Sequence, residues 1–185
     1  MTVKRKPQHY GMAAIILGVA AAGIYWLMIN VTLARLEALS GNTPFDMRPF
    51  GYSLQEAVTL LDALGREGRQ YYVARQIPLD IAYPALLAMT LIATIRWFDL
   101  PVRFRKYARI GTALALGVAV FDYAENLGIV LMTTGWPSVS EGLVFATSSA
   151  SIVKSALTVA AVVTTLALGV IHLLQRRSAR RQSRV

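Results

Sequence analysis

The chain has no cysteine. Disulfides, thiolate metal centres and cysteine nucleophiles are therefore excluded together. Histidine is nearly as scarce: His9 and His172 are the only two, and both sit beside basic clusters. A zinc site is excluded with them, because its usual donors are missing elsewhere. Acids are few, ten Asp and Glu against nineteen Lys and Arg. Carboxylates with carbonyl oxygens hold hard cations, but these acids show no recognisable calcium-loop spacing. Nothing in the sequence specifies a cofactor.

What the chain has is apolar length. Hydrophobic residues make up 55% of its 185 positions. Four runs stand out, about 10–32, 77–97, 110–133 and 149–174. Each meets the roughly 20 residues that a bilayer-spanning helix needs. The runs are apolar nearly all round, whereas a soluble bundle would show polar outer faces. The expected fold is all-α, a polytopic bundle of four transmembrane helices forming one domain over residues 1–185.

The formal net charge of +9 would suit nucleic acid if it formed a patch. Instead it is divided by the apolar runs. Lys4, Arg5 and Lys6 precede the first run; Arg96, Arg103, Arg105, Lys106 and Arg109 follow the second; Arg176, Arg177, Arg180, Arg181 and Arg184 follow the fourth. The connection around Trp136 has no Lys or Arg. The positive-inside rule then places both termini in the cytoplasm, in a multi-pass protein of the plasma (inner) membrane. The expected partners are the lipid bilayer and, at the basic C-terminal tail, anionic headgroups. Nucleic acid is not among them. The first run resembles a secretory signal, but its apolar core is too long and no small-x-small site follows. It is expected to remain as an uncleaved span, with Gly11, Ala14, Gly18 and Ala22 as a close-packing seam.

Residues 33–76 form the one sizeable outer segment. Asn42-Thr43-Pro44 and Arg48-Pro49-Phe50-Gly51 carry turn chemistry. Ser53 and Glu56 make a capping box, so an amphipathic helix is expected over about 54–64, with Gly65 as its stop. A second short helix over about 69–76 would lead into the second span. The first helix would lie flat across the outer mouth of the bundle, as a cap or a lid.

Polar residues inside the runs carry the functional signal. Asp122, Glu125 and Asn126 share one helix face with Gly111, Ala115, Ala119 and Ile129. Charged residues at the centre of a bilayer cost about 2.5–3.5 kcal/mol each on insertion scales, so they face protein, water or a partner charge. In the second run, Asp80, Tyr83, Pro84, Leu87, Leu91 and Thr94 share a face. Pro84 has no N–H to give the carbonyl of Asp80. In lipid that oxygen needs water, a cation or a side-chain donor. In the fourth run Thr147, Ser151, Thr158, Ala161, Thr165 and His172 lie with Lys154, opposite Ile152, Val159, Val163 and Val170. With a rise of about 1.5 Å per residue, Asp80, Tyr83, Glu125, Asn126, Lys154 and Asn30 all fall in the outer half of the bundle, and Asp122 near its middle. Three carboxylates against one lysine leave a formal −2, to be met by protonation, a bound cation or a cationic ligand.

The strings Asp80-Ile-Ala-Tyr83-Pro84, Asp122-Tyr-Ala-Glu125-Asn126 and Ser151-Ile-Val-Lys154 resemble those of an uncharacterised family of small four-helix bacterial integral membrane proteins. The resemblance implies the four-helix fold over most of the chain and no activity. The expected function is binding, or transfer, of a small or lipidic ligand, with proton or cation linkage left open. Its candidate pocket is lined by Asp80, Tyr83, Asp122, Glu125, Asn126, Lys154, Ser151 and Asn30. One alternative is an intramembrane enzyme using paired carboxylates as acid and base on a lipid or isoprenoid, or Ser151 or Ser155 with Lys154 as a dyad. The other is a structural or accessory subunit whose ion pair sets helix register.

Overall fold

The computed structural model describes residues 8–182, with side chains as far as Ser178. Lys4, Arg5, Lys6 and Arg184 lie outside the described residues, as do the side chains of Arg180 and Arg181. Helix α1 (Gln8–Leu27) passes through a π-helical stretch, Met28–Leu33, into α2 (Ala34–Ser40). Helix α3 (Leu54–Tyr71) passes through a second one, Tyr72–Gln76, into α4 (Ile77–Trp97). Helices α5 (Arg105–Thr134) and α6 (Glu141–Gln182) complete the chain, with single 3-10 turns at Phe45–Met47 and Val102–Phe104. The described chain contains four helices long and apolar enough to cross a membrane, the rods that contain α1, α4, α5 and α6.

The four pack as a row in chain order: α1 on α4, α4 on α5, α5 on α6, with a lighter contact of α4 on α6. Among the described residues no comparable contact joins α1 to α6, so the row is not closed into a ring. At one end, α2 and α3 pack on each other, and α3 reaches α5 and α6. This is the cap end. The opposite end carries Arg96, Arg103, Arg105, Lys106, Arg109, Arg176 and Arg177 and is the basic end.

The largest apolar core lies at the cap end, where Leu33, Leu36, Phe45, Leu60, Leu61, Tyr72, Ile129 and Met132 are buried together. Between the long helices the packing differs. Here the helices approach closely at small residues. Gly11 shows this: a Cβ there would meet Trp97 Nε1 at 2.8 Å. Gly18 faces Thr90 in the same interface. The expected seam holds at Gly11, Ala14 and Gly18, but its last member is the buried Ala21, since Ala22 is exposed. At 3.6 residues per turn, a run of four-residue steps drifts around the helix, and a three-residue step brings it back.

The capping box forms as read from the sequence. The Ser53 N–H donates to Glu56 Oε2 at 2.8 Å, and the Glu56 N–H donates to Ser53 Oγ at 3.3 Å. Gly65 does not stop the helix. It breaks the backbone for one residue (φ 59°, ψ −172°), and helix resumes at once. The left-handed φ is open to glycine without strain. The two expected cap helices are therefore one kinked helix, running directly into α4. The two π-helical stretches lie side by side, joined by Thr32 Oγ1 donating to Gln76 Oε1 at 2.5 Å.

Candidate functional site

Helix α5 supplies the floor. Asp122, Glu125 and Asn126 are all buried, Glu125 completely, on the face that includes Gly111, Ala115 and Ile129. Helix α6 is oriented as its sequence stripe requires. Thr147, Ser151, Ala161, Thr165 and His172 are buried, while Ile152, Val159, Val163 and Val170 are exposed. Lys154 is thereby aimed at α5. It pairs with Glu125 Oε2 in direct contact and lies 3.6 Å from Asp122 Oδ1. Its side chain is only 15% exposed. Ser151 Oγ donates to Glu125 Oε1 at 2.6 Å, so both Glu125 oxygens are engaged by α6. Close approach of the two helices here depends on Gly128. A Cβ on it would lie 2.7 Å from Thr147 Cγ2 and 2.8 Å from Thr147 Cβ.

Helix α4 supplies a wall. The carbonyl of Asp80, left without a helical donor by Pro84, accepts a hydrogen bond from Asn126 Nδ2 at 2.9 Å. Of the three donors that the sequence allows, the protein uses a side chain. Tyr123 adds a second such bond, its hydroxyl donating to the Ile81 carbonyl at 3.1 Å. The Asp80 side chain is 2% exposed, and its Oδ2 has no hydrogen-bond partner within the described protein.

The strap between α2 and α3, residues 41–53, supplies the roof and a fourth carboxylate. Phe45 inserts into the cap core beside Tyr72 and Tyr52, its ring stacked on the Tyr72 ring. The Tyr72 hydroxyl accepts from the Phe45 N–H at 3.0 Å and donates to Asp46. Gln76 Nε2 also donates to Asp46, at 3.3 Å. Held this way, Asp46 lines the same cavity as Asp80. At the strap's other end, the Tyr52 N–H donates to Ser148 Oγ at 2.7 Å. Gly51 turns there with φ 80°, and a Cβ on it would sit 2.6 Å from the same oxygen. Burial, then the fields of Glu125 and Asp46, hold the Tyr52 phenol far above the ordinary tyrosine range, so it stays neutral.

Floor, wall and roof border a partly open cavity of about 470 Å³. Its polar lining is Asp46, Asp80, Asp122 and Lys154; Tyr25, Tyr83, Leu87 and Val118 contribute rings and aliphatic surface. The volume falls in the range of about 300–1,000 Å³ common for small-ligand sites. Lys154 is the one cationic residue in the cavity lining, and it pairs with Glu125 and Asp122. Four carboxylates against this one ammonium give a formal −3, one negative charge more than the sequence reading assigned. Among the described residues no set of three or more His, Asp or Glu is placed to hold a metal ion.

The structure thus brings Asp80, Tyr83, Asp122, Glu125, Asn126, Ser151 and Lys154 into one group. Asn30 does not join it. Asn30 is exposed on the far side of its helix, and its Nδ2 donates to the Trp26 carbonyl one turn back, at 2.9 Å. Its neighbour Ile29 lines the cavity, so Asn30 lies at the cavity's level along the rod but is rotated away from it. The group has members that depth and face could not supply. Asp46, Tyr52 and Tyr72 come from the strap and cap, and Gln76 from the second π-helical stretch. Their one sequence signal is a lone acid within the turn-forming run 42–51.

No protein-family model matches the chain, and neither a curated protein nor a solved structure matches it significantly. The reading of the site therefore rests on its own geometry.

Proposed function

We propose that the chain is a multi-pass protein of the plasma membrane, with both termini cytoplasmic and the α2–α3 cap outside, that binds or transfers a small or lipidic ligand in the Asp46–Asp80–Asp122–Lys154 cavity. One observation carries the reading. A cavity of about 470 Å³ is lined by ionisable side chains from the strap, α4, α5 and α6, and the buried Asp80 Oδ2 is left without a partner. Burying an unpaired polar atom costs about 1–3 kcal/mol, a cost that a ligand donor would remove. The charge distribution supports the orientation, since the basic residues gather at the end opposite the cap. In this arrangement the arginines of the C-terminal tail meet anionic headgroups.

The test is extraction from the native membrane in a mild neutral detergent, followed by native mass spectrometry. The wild-type protein is expected to retain a non-covalently bound molecule. Thr158→Trp, which fills the cavity from α6, is expected to lose it. Identical adduct spectra for the two proteins would defeat the proposal.

A structural role is favoured for one part of the group only. Glu125, Lys154 and Ser151 satisfy one another between α5 and α6, which suits a lock on helix register. We assign that lock to this trio and ligand contact to Asp46, Asp80 and Asp122.

A further inference from the structure

The charge and the open side of the same cavity identify a class of ligand. We propose that it takes an organic cation with an apolar tail, its ammonium group set among Asp46, Asp80 and Asp122 and its tail leaving through the seam between α1 and α6. The inference rests on the cavity being a ligand site, as proposed above.

Three observations converge. First, the lining is unbalanced. Asp46, Asp80 and Asp122 line the cavity with Lys154, and Lys154 is already in contact with Glu125. Even with one of the carboxyl groups protonated, these three, Glu125 and the one ammonium sum to −2. An anionic headgroup would add to the excess and a neutral one would leave it, so a cation is the complement. Second, an acceptor waits for a donor: Asp80 Oδ2 is buried and unpartnered, and Asp80 lines the cavity. An ammonium N–H, or a cationic methyl group packed against the oxygen, suits it.

Third, the cavity has an apolar way out. It extends between Tyr25 and Ile29 of the first rod and Ser155 and Thr158 of α6. These two helices make no substantial contact with each other. The flanking surface is apolar and exposed at Tyr25, Ile152 and Val159. A hydrocarbon chain lying in that seam would continue into the apolar surface of the bundle. Tyr25 and Tyr83 stand together there, ring centroids 5.4 Å apart, and aromatic faces attract ammonium groups. The strap residues Met47 and Pro49 line the cavity at the cap side, and the sparse α1–α6 contact leaves the seam as its route outward.

The experiment uses the full chain in a neutral maltoside detergent, titrated calorimetrically with four probes. They are dodecyltrimethylammonium, tetramethylammonium, dodecanol and dodecanoate. The tailed cation is expected to bind about tenfold or more tightly than dodecanol, the scale of one charge-assisted contact, and dodecanoate most weakly. Tetramethylammonium, lacking the tail, is expected to bind weakest of the cations. Asp80→Asn keeps the side chain's shape and is expected to remove most of the preference for the cation. Thr158→Trp is expected to block all tailed probes. If Asp80→Asn misfolds, competition of dodecanol against the bound cation on the wild-type protein reads the same preference. Equal affinity for dodecanol and the tailed cation, with both lost in Thr158→Trp, overturns the cation class and leaves the site standing. No saturable binding of any probe, with wild type and Thr158→Trp alike, overturns both.

Discussion

Asn126 donates its side-chain amide to the carbonyl of Asp80, at 2.9 Å, in place of the backbone N–H that Pro84 lacks. A break in one helix is thus repaired from its neighbour, and α4 and α5 are joined at the level of the cavity. Removing the donor leaves a buried carbonyl unpaired. Asn126→Leu is expected to lower stability by about 1–3 kcal/mol. Pro84→Ala restores the helical donor, so the same Asn126→Leu change should cost distinctly less in that background. A thermal-unfolding double-mutant cycle in detergent reads the difference; additive losses would mean that the two sites are uncoupled.

Lys154 faces Asp122 and Glu125 across the α5–α6 interface. Lys154→Met leaves buried carboxylates without their counter-charge, and a loss of about 3–5 kcal/mol is expected. Adding Glu125→Gln removes one orphaned charge and should recover a large part of that loss. Chemical denaturation followed by tryptophan fluorescence provides the readout. A double variant no more stable than Lys154→Met alone would contradict the pairing.

Gly128 lies against Thr147 with no room for a methyl group. Gly128→Ala should force α5 and α6 apart and destabilise the protein by about 1–3 kcal/mol, as overpacking does. Thr147→Gly should relieve the clash, whereas Gly142→Ala, where a Cβ meets nothing within 4 Å, serves as a silent control. Cross-linking between α5 and α6 near this level should fall in Gly128→Ala and return in the double variant.

The cap has its own acid sensitivity. The Ser53 N–H and hydroxyl hold the Glu56 carboxyl below its ordinary value of 4.5. A depressed carboxylate contributes stability above its unfolded pKa and loses it as pH falls through the folded value. The stability gap between wild type and Glu56→Gln should therefore be full at neutral pH and shrink below about pH 4.5. Ser53→Ala should lower stability by about 1 kcal/mol at neutral pH. A gap that widens toward acid would contradict the capping geometry.

Tyr72 ties the strap down by accepting from the Phe45 N–H and donating to Asp46. Tyr72→Phe strands the Phe45 N–H and leaves Asp46 with the Gln76 bond, and should loosen the strap, with a loss of about 1–3 kcal/mol. Amide exchange at Phe45 should accelerate selectively, while exchange in α5 should be unchanged.

Much of this arrangement is readable from periodicity. The face of Lys154 and the valine face opposite it appear in the structure as the sequence ordered them, because α6 is one uninterrupted helix whose rotation is fixed by one polar stripe. The orphaned carbonyl of Asp80 is equally legible, since a proline's missing N–H is a covalent fact. Asp46 was not legible. Its position depends on the path of a loop, and that path is set by Phe45, Tyr72 and Gly51 acting across long sequence separations. Asn30 shows the opposite limit. It sits next to the cavity-lining Ile29, but a polar residue can bond to the backbone of its own helix and turn outward. The kink at Gly65 was mistaken for an end because a left-handed glycine terminates a helix only when the following residues do not resume it.

The two π-helical stretches, Met28–Leu33 and Tyr72–Gln76, have one last consequence. Such a stretch accommodates an extra residue within a helix, and each residue turns an α-helix by about 100°. Every side chain on the cap side of the insertion is therefore out of phase with the ladder of the rod below it. The angular setting of the cap is uncoupled from that of the rods that carry it. Deleting one residue from Met28–Leu33 would bring the first rod back into phase and swing Gly11, Ala14 and Gly18 away from α4, like a hinge pin turned in its socket.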